Sequence, residues 1–527
     1  MKKFYLIFLI FSLRSFAQNE QQSIELPDFV ITGKQSIEIQ TAQKPKIELI
    51  SILSKDFFTP QYSTEELPLL INSVPTQILP TIKFSQDYYT GKVNLMLGKY
   101  TYPLGELFLT KSFDNYLINA KVWGSNTKEY IPNAGYNNSG FQFNNDLFIS
   151  TKSDFLPGTK FNIDATYWRD SYKFFGSINP TEKRETNNFN AKLSVVNKYL
   201  NYFHFGLNAI GDIYKINENN LKEIYINTNG FIEFSVKDFI IGGNVEYQKQ
   251  SLNDVVLKER NYNNFDSKGY VEIIPFDFLK VKGGIAYNSN SKFNFFSPFA
   301  NAEMKLDNNL SLAAEFNPHV ELLTTKNFVE RNLYSNLTLD NSFVKYKNSV
   351  SGNIKYQFKK TFSSSLTFNY SSIDNYVYYE DVKSIQKYDL LSVNDISKYS
   401  LTANFYLYRN EFGNFFSELT YQSVKDKNGN YIPYEPNFKT KLSYNYDLNF
   451  GLGFTISYNY SSNTYSDLMN KIKVEDYSNL STNLYYEVFE GMKLKLDFQN
   501  ILNRSNFVWQ HYKEKPFDYI AGIEYRW

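Results

Sequence analysis

The chain has 527 residues, with 55 Lys plus Arg against 54 Asp plus Glu and a formal net charge of +1, a balance that gives no electrostatic reason to expect a nucleic-acid partner. It has no cysteine, which excludes thiol catalysis, disulfides and cysteine-ligated zinc, and its three histidines, His204, His319 and His511, stand far apart. Aromatic residues make up 18% of the chain, 44 Tyr and 47 Phe among them, yet mean hydropathy is −0.43. A soluble protein with so many rings would carry a larger aliphatic core. A barrel in lipid removes the conflict, because one side of each strand faces hydrocarbon and the other faces water; the alternative is a soluble all-β protein such as a propeller.

In chain order, Met1-Lys2-Lys3, the apolar run Phe4 to Leu13 and the small residues of Ser15-Phe16-Ala17 have the layout of a secretory signal peptide over residues 1–17, cleaved before Gln18. That run is shorter than the roughly 20 apolar residues of a membrane helix, and no later stretch reaches that length. Residues 18–90 form an N-terminal segment interrupted by Pro45, Pro60, Pro68, Pro75 and Pro80. From there to Trp527 the pattern is a repeated alternation of period two. Phe438, Leu442, Tyr444, Tyr446 and Leu448 oppose Lys439, Lys441, Ser443, Asn445 and Asp447; Phe450, Leu452, Phe454, Ile456, Tyr458 and Tyr460 oppose Gly451, Gly453, Thr455, Ser457 and Asn459. In the last segment Phe517, Tyr519, Ala521, Ile523, Tyr525 and Trp527 oppose Asp518, Gly522, Glu524 and Arg526, with Ile520 out of pattern. Alternation over this length marks strands able to cross a bilayer, and helical spacing would scatter the same residues around a cylinder.

The connections alternate too. Short turns are expected at Phe113-Asp114-Asn115, Lys237-Asp238, Asp307-Asn308-Asn309, Asp447-Leu448-Asn449 and Glu490-Gly491, and long loops at Asn126–Asn138, Ser177–Asn187, Ser251–Asn263, Pro318–Asn341 and Ser461–Asp476. Short turns on one side and long loops on the other are the habit of outer-membrane barrels. The fold expected is therefore all-β: a large antiparallel transmembrane β-barrel over residues 91–527, of about 22 strands with 18 as the lower count, behind a short periplasmic N-terminal segment.

No residue pattern points to catalysis, a cofactor or a metal. Asp426-Lys427-Asn428-Gly429-Asn430 lacks the rest of a calcium loop and reads as a hairpin tip. The inward parity near the C-terminus collects Glu487, Lys493, Lys495, Asp497, Glu524 and Arg526. Mixed signs there suit a hydrated lumen without strong ion preference, or ion pairs that brace the wall.

The second half resembles the barrel of TonB-dependent outer-membrane receptors. The resemblance is carried by the two alternating strands and tight turn within Tyr346–Val377, by Ile432-Pro433-Tyr434-Glu435-Pro436-Asn437-Phe438-Lys439, and by Asn500-Ile501-Leu502-Asn503 followed by a final strand ending in an aromatic residue. It implies import of a solute across the outer membrane, and a C-terminal signal, Tyr519, Ile523, Tyr525 and Trp527, read by the barrel assembly machinery. Within Glu25–Gly33, residues Asp28, Phe29, Val30, Ile31 and Thr32 resemble a Ton box, which implies TonB as partner through strand addition; an ordinary exposed segment is the plain alternative. Family members carry a folded plug between box and barrel, and Lys34 to Thr90 is too short for a complete one. It is expected to form a small inset plug, lie along the periplasmic mouth or stay mobile. Two function classes follow: a transport barrel for an unidentified solute, or a structural or assembly component of the envelope that binds other proteins through its long loops. An enzyme is not expected.

Overall fold

The computed structural model describes residues 90–527, apart from 238, 256–257, 338–342, 360 and 410–411. The expected signal peptide, residues Asp28–Thr32 and the segment that raised the question of a plug lie outside the described residues. What is described is one closed antiparallel barrel. Its sheet contains 23 strand segments, but Leu310–Phe316 and His319–Leu322 pair in succession with the same strand, Phe343–Phe358, so the wall has 22 staves. Closure comes from Gly91–Gly98, which pairs with Thr101–Phe113 on one side and with the last strand, Asp518–Arg526, on the other. The closed sheet leaves no open edge among the described strands, as hydrocarbon demands.

Burial is inverted relative to a soluble protein. Large apolar side chains of the outward parity are open, Ile285 at 62% and Val122 at 53% exposed, whereas Asn188 and Gln250 on the inner face are 0% exposed. A surface of this kind belongs in lipid and the polar interior in water, so the protein is an outer-membrane barrel. Most staves exceed the roughly 9–11 residues that cross hydrocarbon at a tilt, the longest being Lys258–Phe276 with 19. They therefore project beyond the bilayer.

The expected faces of the segments around Phe438–Asp447, Leu452–Ser461 and Asp518–Arg526 match the observed pairing and exposure. Ile520 points inward, 1% exposed, over Gly98, where a Cβ would sit 2.9 Å from its Cγ1. The expected short turns at Phe113-Asp114-Asn115, Asp307-Asn308-Asn309, Asp447-Leu448-Asn449 and Glu490-Gly491 occur, and Asp238 of the fifth lies outside the described residues. At Gly491 the backbone has φ 85°, and a Cβ would lie 2.3 Å from the Arg526 carbonyl oxygen, so the turn requires glycine.

Two connections differ from expectation. Ser251–Asn263 is not a loop, because Phe239–Asp254 and Lys258–Phe276 continue their ladder through Ser251↔Asn261 to Asp254↔Lys258. Its polarity reflects strands that have left the membrane while still paired. Ile149–Thr159 is a long connection on the short-turn side, closed by Ile149 N–H donating to the Thr159 oxygen at 2.8 Å.

The loops at the opposite end fold against one another. The hairpin of Tyr376–Glu380 with Asp389–Val393 buries Tyr376, Tyr378, Tyr379 and Leu390 in an apolar cluster with Phe328, Ile432 and Tyr512. Asp426 is the hairpin tip the spacing suggested: its Oδ1 accepts from the backbone N–H groups of Asn428 at 2.9 Å and Asn430 at 2.8 Å, with Gly429 at φ 88°.

Candidate functional site

The inner wall and the loop that dips into it form the site. Near the C-terminal turns, the inward charges pair. Lys495 Nζ lies 3.3 Å from Glu524 Oε2, Arg526 Nη2 2.7 Å from Glu524 Oε1, and Lys493 Nζ 3.8 Å from Glu487 Oε2, while Asp497 accepts from Asn483. Across the closing seam Glu106 receives Lys92 at 2.8 Å and Lys121 at 3.0 Å. Tyr519, Ile523, Tyr525 and Trp527 lie on the outward parity, each partly exposed, and Tyr525 and Trp527 stack at 5.8 Å.

Further out, a short helix narrows the lumen. After His319–Leu322 the chain reaches Thr324, whose Oγ1 accepts from Asn327 N–H at 3.2 Å while Asn327 Oδ1 accepts from Thr324 N–H at 2.9 Å. This capping box starts the helix Thr325–Arg331. Its first turn docks on Glu223 of the strand Leu221–Val236: Thr325 N–H donates at 2.7 Å and Lys326 N–H at 3.3 Å, and Gln250 Nε2 donates to the same carboxylate at 2.6 Å. Lys326 Nζ donates to Asp212 Oδ2 at 2.7 Å and lies 4.5 Å over the Trp168 ring.

The other end of the helix is tied to Glu435, which is 4% exposed. Its Oε1 receives Arg331 Nη2 at 2.5 Å and Tyr376 Oη at 2.6 Å, and its Oε2 receives Gln422 Nε2 at 3.1 Å. Burial works against ionisation of this carboxyl, but Lys398, Arg331, Lys439 and the Tyr376 hydroxyl outweigh it and hold it down to about 2. Glu330 behaves oppositely. Enclosure by the barrel pushes its carboxyl up to about 7; Lys326 opposes the shift, and Asp212, Asp170 and Glu223 add to it. The side chain still reaches open lumen, so water screens part of that shift.

Sequence reasoning found the charged residues near the C-terminus but not this constriction. Trp168, Asp212, Glu223, Lys326 and Glu435 come from separate staves and loops, and only the Thr324-x-x-Asn327 cap was a local signal. Among the described residues no three His, Asp or Glu side chains converge as metal ligands.

No protein-family model matches the chain, and no curated protein matches it. Solved structures do. The siderophore receptor PirA of Acinetobacter baumannii is similar at TM-score 0.62 and 13% identity, over 83% of this chain and 80% of that one. The ferric enterobactin receptor PfeA of Pseudomonas aeruginosa, in a mutant form, is similar at 0.60 and 10%, over 83% and 80%. The FrpB iron transporter of Neisseria meningitidis gives 0.63 and 10%, over 84% and 81%. At such identities the likeness is one of fold, and the fold is the 22-stranded outer-membrane barrel of TonB-dependent receptors, as the resemblance in the second half of the chain implied.

Proposed function

We propose that the chain passes a solute across the outer membrane through its lumen, restricted at the outer mouth by the folded loops and the helix Thr325–Arg331. The observation that carries this is the closed barrel with a polar inner wall, in a fold shared with proteins described as siderophore receptors and an iron transporter. Asp28, Phe29, Val30, Ile31 and Thr32 are proposed to engage TonB, with high β-propensity at Phe29 to Thr32 favouring strand addition. Tyr519, Ile523, Tyr525 and Trp527 are proposed as the insertion signal. Lys493, Lys495, Asp497, Glu524 and Arg526, balanced by Glu487 beside Lys493, serve as a braced stretch of lumen.

Single-channel recording of the purified protein in a planar bilayer, with and without residues Lys34–Pro80, tests the proposal. Current in the deletion form, larger than in the full chain, supports a restricted conduit. Silence in both favours the other class, an envelope component binding proteins through its outer loops, whose tips leave Ile178, Val382, Met469 and Ile472 exposed.

A further inference from the structure

Lys326 does more than tether a loop. Its ammonium is held by one carboxylate oxygen, Asp212 Oδ2 at 2.7 Å, and by an aromatic face, Trp168 at 4.5 Å. A carboxylate beside an indole face is the arrangement that selects organic cations over simple ions. The surroundings carry more negative charge than one ammonium neutralises. Asp170 stands two residues beyond Trp168 on the same inward parity, and among the described residues its carboxylate accepts from Tyr136, Asn138 and Thr186. Glu330, exposed on the helix, lies within the electrostatic reach of Asp170 and Asp212. Arg184, on the same strand as Asn188, is engaged by Glu218 and by the carbonyl oxygens of Leu333 at 3.0 Å and Ser335 at 2.9 Å.

An independent feature marks the same stretch of wall. Asn188 sits in register between Trp168 and Tyr214, is 0% exposed, and neither of its amide atoms has a hydrogen-bond partner among the described residues. Asp212 Oδ1, 5% exposed as a residue, is likewise without one. Buried polar atoms are ordinarily paired. Two of these three atoms, Asn188 Oδ1 and Asp212 Oδ1, are acceptors that want donors, at a wall that already holds one ammonium, and the third, Asn188 Nδ2, is itself a donor. An N–H donor on an apolar stem is what Lys326 already presents to Asp212 and Trp168.

We infer that the lumen wall at Trp168, Asp170, Asn188 and Asp212, with Glu330 facing it, is a binding site for organic cations bearing more than one ammonium or guanidinium centre, and that Lys326 fills it as a tethered stand-in. The site deepens the transport reading by naming a solute class, and as a solute site it rests on that reading. An incoming polyamine competes with Lys326 for Asp212 and Trp168, and releasing Lys326 removes one tether of the helix that narrows the lumen, while its first-turn N–H groups stay on Glu223.

The test is isothermal titration of spermidine into the purified full chain at low ionic strength, with citrate as the anionic control. Lys326→Met keeps the apolar stem over Trp168 and removes the competing charge, so it should tighten spermidine binding by about tenfold, the size of one charge-assisted contact. Asp212→Asn should weaken it by about tenfold. If Asp212→Asn fails to assemble, Glu330→Gln, which breaks no hydrogen bond among the described residues, should weaken binding in the same direction. Binding unchanged or weakened in a Lys326→Met barrel that still shows heat-modifiable migration overturns the inference, as does citrate binding as tightly as spermidine. Spermidine binding in a protein silent in bilayers leaves the site standing and removes transport; current without spermidine binding does the reverse.

Discussion

Replacing Glu435 by Gln keeps the size of the side chain and removes the charge on which Arg331, Tyr376 and Gln422 converge. Arg331 is then left beside Lys398 and Lys439 without the carboxylate it is hydrogen-bonded to. Each tenfold change in proton affinity is worth about 1.4 kcal/mol. Holding the carboxyl at about 2 in place of its ordinary 4.5 therefore amounts to about 3 kcal/mol, in line with the roughly 3–5 kcal/mol lost when one member of a buried pair is removed. The loss falls on the loops, because Glu435 takes no part in the barrel ladder. Hydrogen exchange read by mass spectrometry should show residues 324–331 and 376–393 of Glu435→Gln exchanging about a hundredfold faster at pH 7, with the staves unchanged. The wild type should do the same on acidification. Its folded value is depressed, so this stabilisation is complete above 4.5 and is lost as pH falls toward about 2; the variant should lack that step. Equal exchange in both proteins at pH 7, or an acid step of equal size in both, would refute the account of the clamp.

Three further outcomes are expected. Ile456→Lys places a charge on the outward parity and should cost about 2–4 kcal/mol near the midplane, measured by urea unfolding in lipid, whereas Thr455→Lys should fold normally; the reverse order would put the register off by one residue. Deleting Trp527, or changing it to Asp, should leave protein in the periplasm, and equal outer-membrane amounts of mutant and wild type on fractionation would remove the insertion signal. Val30→Pro deletes a backbone donor needed for strand addition, so it should abolish capture by an immobilised periplasmic domain of TonB without altering barrel migration on gels; unchanged capture would reduce Asp28–Thr32 to a chance similarity.

The staves were legible because lipid on one side and water on the other impose a two-residue period, as in Leu452–Ser461, where Ile456 is open to lipid and Thr455 sits on the inner parity beside Asn445. The outer loops were not legible by the same rule. Tyr378 and Tyr379 are both buried although adjacent, since a two-stranded hairpin packed on both faces has no alternation to read. Ser251–Asn263 looked like a loop because strands outside the bilayer lose their apolar parity while keeping their hydrogen bonds. The constriction was hidden for a different reason. Trp168, Asp212 and Lys326 meet through register and through a loop folded inward, and no sequence spacing encodes such a meeting.

The central claim is that the lumen is the conduit, and cysteine accessibility tests it most directly because the chain has no cysteine of its own. Ser194 faces inward on Lys183–Asn197, between Asn162 and Asn208 in register, and Leu193 beside it is 44% exposed on the outer face. In bilayers holding the form without Lys34–Pro80, a charged methanethiosulfonate reagent should cut the single-channel current of Ser194→Cys in one irreversible step and leave that of Leu193→Cys unchanged. Current indifferent to modification at Ser194, or sensitive only at Leu193, would contradict the claim.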